Sequence, residues 1–127
     1  MNRERALKVV LVLVGLLFSA GIYPLTMSLW KMNESDYGDD MMLSLYFALG
    51  IFLLIAVRNP SANRSLIAFA AWSSFAHGAV MAVLAVHIAS ERVSLLTAVA
   101  VLVIIGVVLI ALAPAKQTGE RASAAGA

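Results

Sequence analysis

His77 is the side chain with the most distinctive chemistry, because it lies near the middle of a long apolar stretch of the sequence. Ionisable residues are rare in apolar segments of membrane length, and they commonly mark binding sites or proton paths. Ser73 precedes His77 by one helical turn, so its hydroxyl could orient the imidazole ring. Trp72 and Ser74 are close as well. The sequence therefore predicts a ligand-binding site formed by His77, Ser73, Trp72 and Ser74.

Two interpretations of His77 stay open at this stage. In one, a neutral imidazole hydrogen-bonds to Ser73 or to a backbone carbonyl of a facing helix and serves packing alone. In the other, it contacts a proton or a ligand, and a quinone or similar apolar molecule between helices is the expected class. Haem is not expected, since the only other histidine, His87, lies on the same helix about 15 Å further along its axis.

Several other chemistries are excluded or disfavoured by composition. The chain has no cysteine, which excludes disulfides, thiolate metal sites and thiol redox catalysis. The apolar runs contain no Asp or Glu, unlike small multidrug exporters that couple transport to an intramembrane carboxylate. Residues 33–40 hold four acids but lack the alternating ligand spacing of a calcium loop, so no metal site is predicted. A serine hydrolase would lack a nearby acid and an oxyanion hole, and we expect no enzyme.

The elements that must position these residues are apolar helices. Of the 127 residues, 62% are hydrophobic and only 13% are charged, far from the composition of a soluble domain. Four apolar runs are each long enough to cross a hydrocarbon core of about 30 Å. We therefore predict an all-α, integral membrane four-helix bundle with up-down-up-down topology. The predicted helices cover about 6–30, 41–57, 65–89 and 93–113.

Basic residues predict the orientation of this bundle. Lys and Arg concentrate in cytoplasmic segments of membrane proteins, and an N-in, C-in arrangement places seven of the nine there. Only Lys31 and Arg92 then lie outside. The seven are Arg3, Arg5, Lys8, Arg58, Arg64, Lys116 and Arg121. This pattern predicts one transmembrane domain over 1–116 with a disordered cytoplasmic tail over 117–127. Because membrane topology accounts for the basic residues, no nucleic-acid partner is expected.

Small residues predict where helices approach closely, since helix association in lipid depends on tight packing. The third helix carries one every fourth position, at Ala70, Ser74, Gly78 and Ala82. Gly15 and Ser19 form a shorter version in the first helix. The pattern indicates a third helix that is central to the bundle or to an oligomer.

Two further features concern the shape of the helices and their depth in the bilayer. Pro24 predicts a bend late in the first helix, because proline removes a backbone hydrogen bond. Trp30, Tyr37 and Tyr46 are expected to form an aromatic belt at the outer interface.

The second and third helices carry a family resemblance. The segment from Ser44 to Ile67, which includes Arg58-Asn-Pro-Ser-Ala-Asn-Arg, and the following Trp72-Ser-Ser-x-x-His-Gly run resemble an uncharacterised family of small bacterial four-helix membrane proteins. The layout is more loosely similar to DoxX-like proteins, some of which are linked to quinol-oxidising complexes. The resemblance implies the four-helix topology and a bacterial cytoplasmic membrane location.

The function that the sequence favours is that of an accessory or assembly subunit, or of a homo-oligomeric membrane component. Its expected partners are the lipid bilayer and either another membrane protein or further copies of itself. A redox-associated protein that binds quinone through His77 is the alternative. A small transporter or channel is a second alternative, which is disfavoured because few polar residues could line a path.

Overall fold

Helices form nearly all of the part of the chain that the structure, a computed structural model, describes: residues 2–31 and 37–115. Short 3₁₀ turns at Pro60–Asn63 and Ala89–Glu91 lead into the last two helices. The predicted tail over 117–127 lies outside the described residues. The α-helices within the described ranges are α1 (Arg3–Ser19), α2 (Ile22–Lys31), α3 (Tyr37–Ala56), α4 (Arg64–His87) and α5 (Arg92–Leu112).

The first predicted helix, over 6–30, is divided into α1 and α2 by a break at Ala20 and Gly21. Pro24 has no N–H group to donate to the carbonyl of Ala20. That carbonyl instead accepts a hydrogen bond from the backbone N–H of Tyr23, at 3.1 Å, in a tighter turn. The helix therefore restarts at Ile22, two residues before the proline, so that the missing donor falls in the first turn, where it is tolerated.

The second predicted helix begins earlier than the apolar run suggested, at Tyr37 instead of 41. Asp39 and Asp40 consequently belong to the first turn of α3, where carboxylates complement the positive end of the helix dipole. Asp40 is buried, and the Ser28 hydroxyl donates a hydrogen bond of 2.9 Å to its carboxylate. The apolar run from 41 onwards contains no acid, and the two carboxylates belong to the helical turn that precedes it.

Four helical segments among the described residues are long and apolar enough to cross a membrane. The first combines α1 and α2, the second is α3, and the last two each include their leading 3₁₀ turn. This confirms an all-helical chain with four helices of membrane length. The segments are Arg3–Lys31, Tyr37–Ala56, Pro60–His87 and Ala89–Leu112.

The helices pack as two pairs. α1 lies against α3, and the approach is closest where a methyl group on Gly50 would be 2.6 Å from the backbone nitrogen of Ser19 and 2.8 Å from the carbonyl oxygen of Gly15. α4 lies against α5, where the Phe75 ring occupies the space beside Gly106. Glycine allows both approaches because it has no Cβ.

A shared apolar core joins the two pairs at α1 and α5. Leu11 and Leu109 are fully buried there, together with Ile67 of α4 and Leu53 of α3. Contact between α3 and α4 is much sparser than within either pair, although the two helices are consecutive in the chain. The bundle is therefore closed along α1 and α5 and incompletely closed between α3 and α4.

Arginine side chains tie the ends of the bundle together. Arg3 donates hydrogen bonds to the carbonyl oxygens of Ala111 and Ala113, at 3.2 and 2.8 Å, and Arg64 donates one to the carbonyl of Pro114, at 2.8 Å. These carbonyls lie at or just beyond the C-terminal end of α5 and lack helical partners. The start of α1, the start of α4 and the end of α5 therefore lie at one end of the bundle, called here the arginine end.

Candidate functional site

A groove of about 610 Å³ lies between α3 and α4. It is called here the α3–α4 groove. Leu45, Phe52 and Phe69 line it and are each more than half exposed, so the groove is open along one side. Its lining consists of Met42, Leu45, Tyr46, Ala48, Leu49 and Phe52 from α3, and Leu66, Phe69, Ser73, Ala76, His77 and Val80 from α4. The volume falls within the range of about 300–1,000 Å³ that is usual for small-molecule sites.

His77 and Tyr46 provide the polar character of this groove. Their rings lie edge to face across it, with centroids 5.4 Å apart and planes inclined by 66°. Phe18 of α1 packs behind Tyr46 in the same manner, with ring centroids 4.8 Å apart. These three edge-to-face rings link α1, α3 and α4 and hold the imidazole at the groove wall. The contact involves no hydrogen bond from either ring nitrogen of His77.

The imidazole of His77 makes no hydrogen bond to any residue in the described ranges. Ser73, which the sequence suggested as its partner, instead donates to the carbonyl oxygen of Ala70 at 3.1 Å. Ser74 donates to the same carbonyl at 2.7 Å. Serine hydroxyls in apolar helices commonly donate their hydrogen bond in this way, to a backbone carbonyl oxygen in the preceding turn of the same helix. The ring nitrogens of His77 therefore remain available to a molecule in the groove.

The four residues predicted to bind a ligand do not lie together. His77 and Ser73 line the groove, whereas Ser74 is fully buried away from it and Trp72 is 64% exposed on another side of α4. Trp72 packs edge to face on Phe75, with ring centroids 5.6 Å apart. Consecutive positions on a helix point in different directions, so Ser73 and Ser74 cannot serve the same site.

Tyr46 is the principal site residue that sequence reasoning placed elsewhere. It was expected in an aromatic belt at the membrane surface, yet it is partly buried and faces His77 from the middle of α3. It lies about ten residues from either end of α3, whereas the predicted start at 41 had placed it closer to the outer end of the helix. Phe52 and Phe69 also line the groove and were not singled out.

The stripe of small residues predicted for close packing lies on the other side of α4 from the groove opening. Ala70, Ser74 and Gly78 are buried, and Ala82 is partly buried. A methyl group on Gly78 would meet the Cβ of Leu102 on α5 at 3.8 Å, an ordinary contact. The stripe therefore faces α5 of the same chain.

The first-helix pair predicted for close packing lies at the α1–α3 contact described above. Gly15 is buried and faces Leu54 and Gly50. The Ser19 hydroxyl is buried beside Gly50 and has no hydrogen-bond partner within the described residues. Both residues therefore pack against α3 of the same chain.

The lining of the groove is suited to the binding of a mainly apolar molecule. Among the described residues, no group of three or more His, Asp or Glu side chains is placed to hold a metal ion. The groove instead combines an aromatic and aliphatic wall with one imidazole that can donate or accept a hydrogen bond. Few oriented polar groups in an apolar lining are typical of small-molecule sites.

Comparison with known proteins adds a family but no activity. No curated protein and no solved structure matches this chain. Over residues 2–125 it matches a family of unknown function, DUF6632. Since the match covers nearly the whole chain, the protein belongs to the DUF6632 family.

Proposed function

We propose that this protein spans the bacterial cytoplasmic membrane four times, N-in and C-in, and binds a lipid-soluble molecule of the quinone class in the α3–α4 groove. The observation that carries this proposal is the His77 imidazole, which faces an open apolar groove without a hydrogen-bond partner in the described part of the chain. A quinone carbonyl would accept a hydrogen bond from this ring, and the groove walls would contact its apolar body. The loose resemblance to DoxX-like proteins is consistent with such a ligand.

The positions of the basic residues support the orientation. Arg3 and Arg64 meet at the arginine end, and Arg5, Lys8 and Arg58 belong to the same end by their places in α1 and after α3. Basic residues favour the cytoplasmic side of a membrane. A tag placed after residue 127 and exposed to protease in inside-out vesicles would test this orientation. A cytoplasmic tag should be cleaved, and a protected tag would show that the orientation is the opposite one.

The accessory or homo-oligomeric function favoured by the sequence loses part of its support. That interpretation rested on a small-residue stripe that could meet another chain, and the stripe packs on α5 instead. The transporter alternative gains no support from the groove, whose lining is almost entirely apolar. Ligand binding is therefore the function that the geometry supports best.

A direct test is to titrate the purified protein in detergent with a short-chain quinone and to compare two histidine variants. His77→Ala removes the groove imidazole, whereas His87→Ala removes the exposed histidine at the end of the same helix and serves as the matched control. A side-chain hydrogen bond within a membrane protein contributes about 0.6–1.7 kcal/mol, so His77→Ala should weaken binding roughly 3- to 20-fold. Unsaturable binding, or equal affinities for all three proteins, would refute the proposal.

A further inference from the structure

The shape of the α3–α4 groove indicates what kind of molecule it can hold. On α4 its lining extends from Leu66 to Val80, a distance of roughly 21 Å at 1.5 Å per residue. Its volume of about 610 Å³ is usual for a small-molecule site, and the apolar side chains of α3 and α4 line it over this whole length. An extended molecule with a single hydrocarbon chain matches both the length and the apolar lining.

The polar group of this groove lies towards one end. His77 is three residues from Val80, about 4.5 Å along the axis, but eleven residues from Leu66, about 16 Å. The longer part is lined by Leu49, Phe52 and Phe69 besides Leu66, and the one hydroxyl nearby, on Ser73, already bonds to its own helix. A bound molecule would therefore have its polar group at one end and a purely apolar remainder.

The depth of His77 indicates that the polar group is uncharged. Within α4 the residue lies about 20 Å from Arg64 and about 15 Å from His87 along the axis. Among the described residues, the lining supplies no Lys, Arg, Asp or Glu at this level. A charged headgroup held at this depth without a counter-charge would be strongly unfavourable. Phosphate and carboxylate headgroups are therefore excluded, and so is a phospholipid, whose headgroup must remain at the membrane surface.

We infer that the ligand is a neutral, single-chain amphiphile whose compact polar ring hydrogen-bonds to His77 beside Tyr46, and whose tail extends along α4 towards the arginine end. This inference rests on the proposed function and adds the ligand's class and direction. A tail of about 16 Å corresponds to roughly a dozen carbon atoms, since a zigzag chain of 1.5 Å bonds advances about 1.25 Å per carbon. The open side of the groove lets such a molecule enter from the lipid.

The tail contributes selectivity and little affinity. Lipid chains are as apolar as the groove wall, so transferring a tail from the bilayer to Phe52 and Phe69 gains no hydrophobic free energy. Preference over bulk lipid then comes from the hydrogen bond to His77 and from the fit of one chain.

Photocrosslinking of the full-length protein in phosphatidylcholine vesicles tests both the class and the direction. The probes are a benzoquinone with a single twelve-carbon alkyl chain, which carries a diazirine either on the carbon next to the ring or on the terminal carbon. The ring-proximal probe should label residues beside His77 and Tyr46, and the terminal probe should label Leu66, Phe69 or Phe52. Labelling by both should fall at least threefold in His77→Ala but not in His87→Ala.

The outcomes separate this inference from the proposed function. If labelling depends on His77 but the terminal diazirine reacts at Met42 or Val80, the tail lies in the opposite direction and the inference is wrong, while ligand binding stands. If neither probe shows labelling that depends on His77, the proposed function fails as well. A phosphatidylcholine that carries the diazirine in one acyl chain should show no dependence on His77. Equal dependence for that lipid would overturn the assignment to neutral single-chain amphiphiles.

Discussion

Replacing Gly50 by alanine should force α1 and α3 apart. The added methyl group would lie 2.6 Å from the backbone nitrogen of Ser19 and 2.8 Å from the carbonyl oxygen of Gly15. Both atoms belong to the backbone of α1, so neither can turn aside as the end of a side chain could. Ordinary contact begins at 3.4 Å, and the two helices must therefore separate by about 0.8 Å at this point.

The expected loss of stability follows from this separation. A gap of 0.5–1 Å removes about a quarter to a half of the dispersion energy of each contact across the interface. Overpacking of this kind costs about 1–3 kcal/mol, and the rigid backbone obstacles place Gly50→Ala in the upper half of that range. The higher helix propensity of alanine, worth about 1 kcal/mol, offers little compensation, because isolated helices remain helical in lipid or detergent.

The assay is reversible unfolding in mixed micelles with a rising fraction of sodium dodecyl sulfate, followed by tryptophan fluorescence. Gly78→Ala is the matched control, since its methyl group would meet Leu102 at an ordinary 3.8 Å. We expect Gly50→Ala to lower the free energy of unfolding by about 2–3 kcal/mol and Gly78→Ala to change it by less than about 0.5 kcal/mol. Equal effects, or a larger loss for Gly78→Ala, would refute the packing described for α1 and α3.

Three further substitutions test other contacts by the same unfolding assay. Gly106→Ala should lower stability by about 1 kcal/mol. This loss is smaller than that expected for Gly50→Ala, because the Phe75 ring beside Gly106 can rotate. An unchanged stability would contradict the contact between Gly106 and Phe75. Arg64→Ala should lower it by about 1.5 kcal/mol through loss of the charged hydrogen bond to the carbonyl after α5, and should do so equally at high salt if the bond is shielded. Asp40→Ala should cost about 1–2 kcal/mol because the Ser28 hydroxyl loses its acceptor, whereas Asp40→Asn keeps an acceptor oxygen and should cost less. Equal losses would contradict this expectation, because they would show that an amide oxygen at position 40 does not preserve the bond.

The helices were predictable because apolar runs long enough to cross a bilayer can satisfy their backbone hydrogen bonds there only as helices, unless they form a closed barrel. The gap between the second and third predicted helices, at 57–65, contains the 3₁₀ turn at Pro60–Asn63, and the gap before 93 adjoins the one at Ala89–Glu91. Pro24 predicted a bend, although the pattern did not show that the helix stops and restarts. The predicted start of α3 at 41 followed the apolar run and left Asp39 and Asp40 before the helix, whereas the helix begins at Tyr37. The sequence did not show that Ser28 lies beside the buried carboxylate of Asp40.

The pairing of the helices could not be predicted, and the site depends on it. The exposed and the buried faces of these helices are similarly apolar, so the sequence of α4 does not distinguish its buried face from the others. His77 was identified as an ionisable residue in an apolar helix. Its position opposite Tyr46 depends on the register between α3 and α4, which no local pattern encodes. The orientation of Ser73 towards its own backbone was likewise invisible.

The division into two helix pairs has a consequence for the order of assembly. α1 to α3 leave the ribosome before α4 and α5, and domains generally fold in the order in which they are synthesised. The first pair can form from its own residues, and so can the second. The bonds from Arg3 to the end of α5, by contrast, join positions more than a hundred residues apart and can form only after the last helix is in place. The α3–α4 groove needs both pairs and is thus among the last features of the fold to form. Under the proposed function, a ligand could bind only after α4 has packed beside α3.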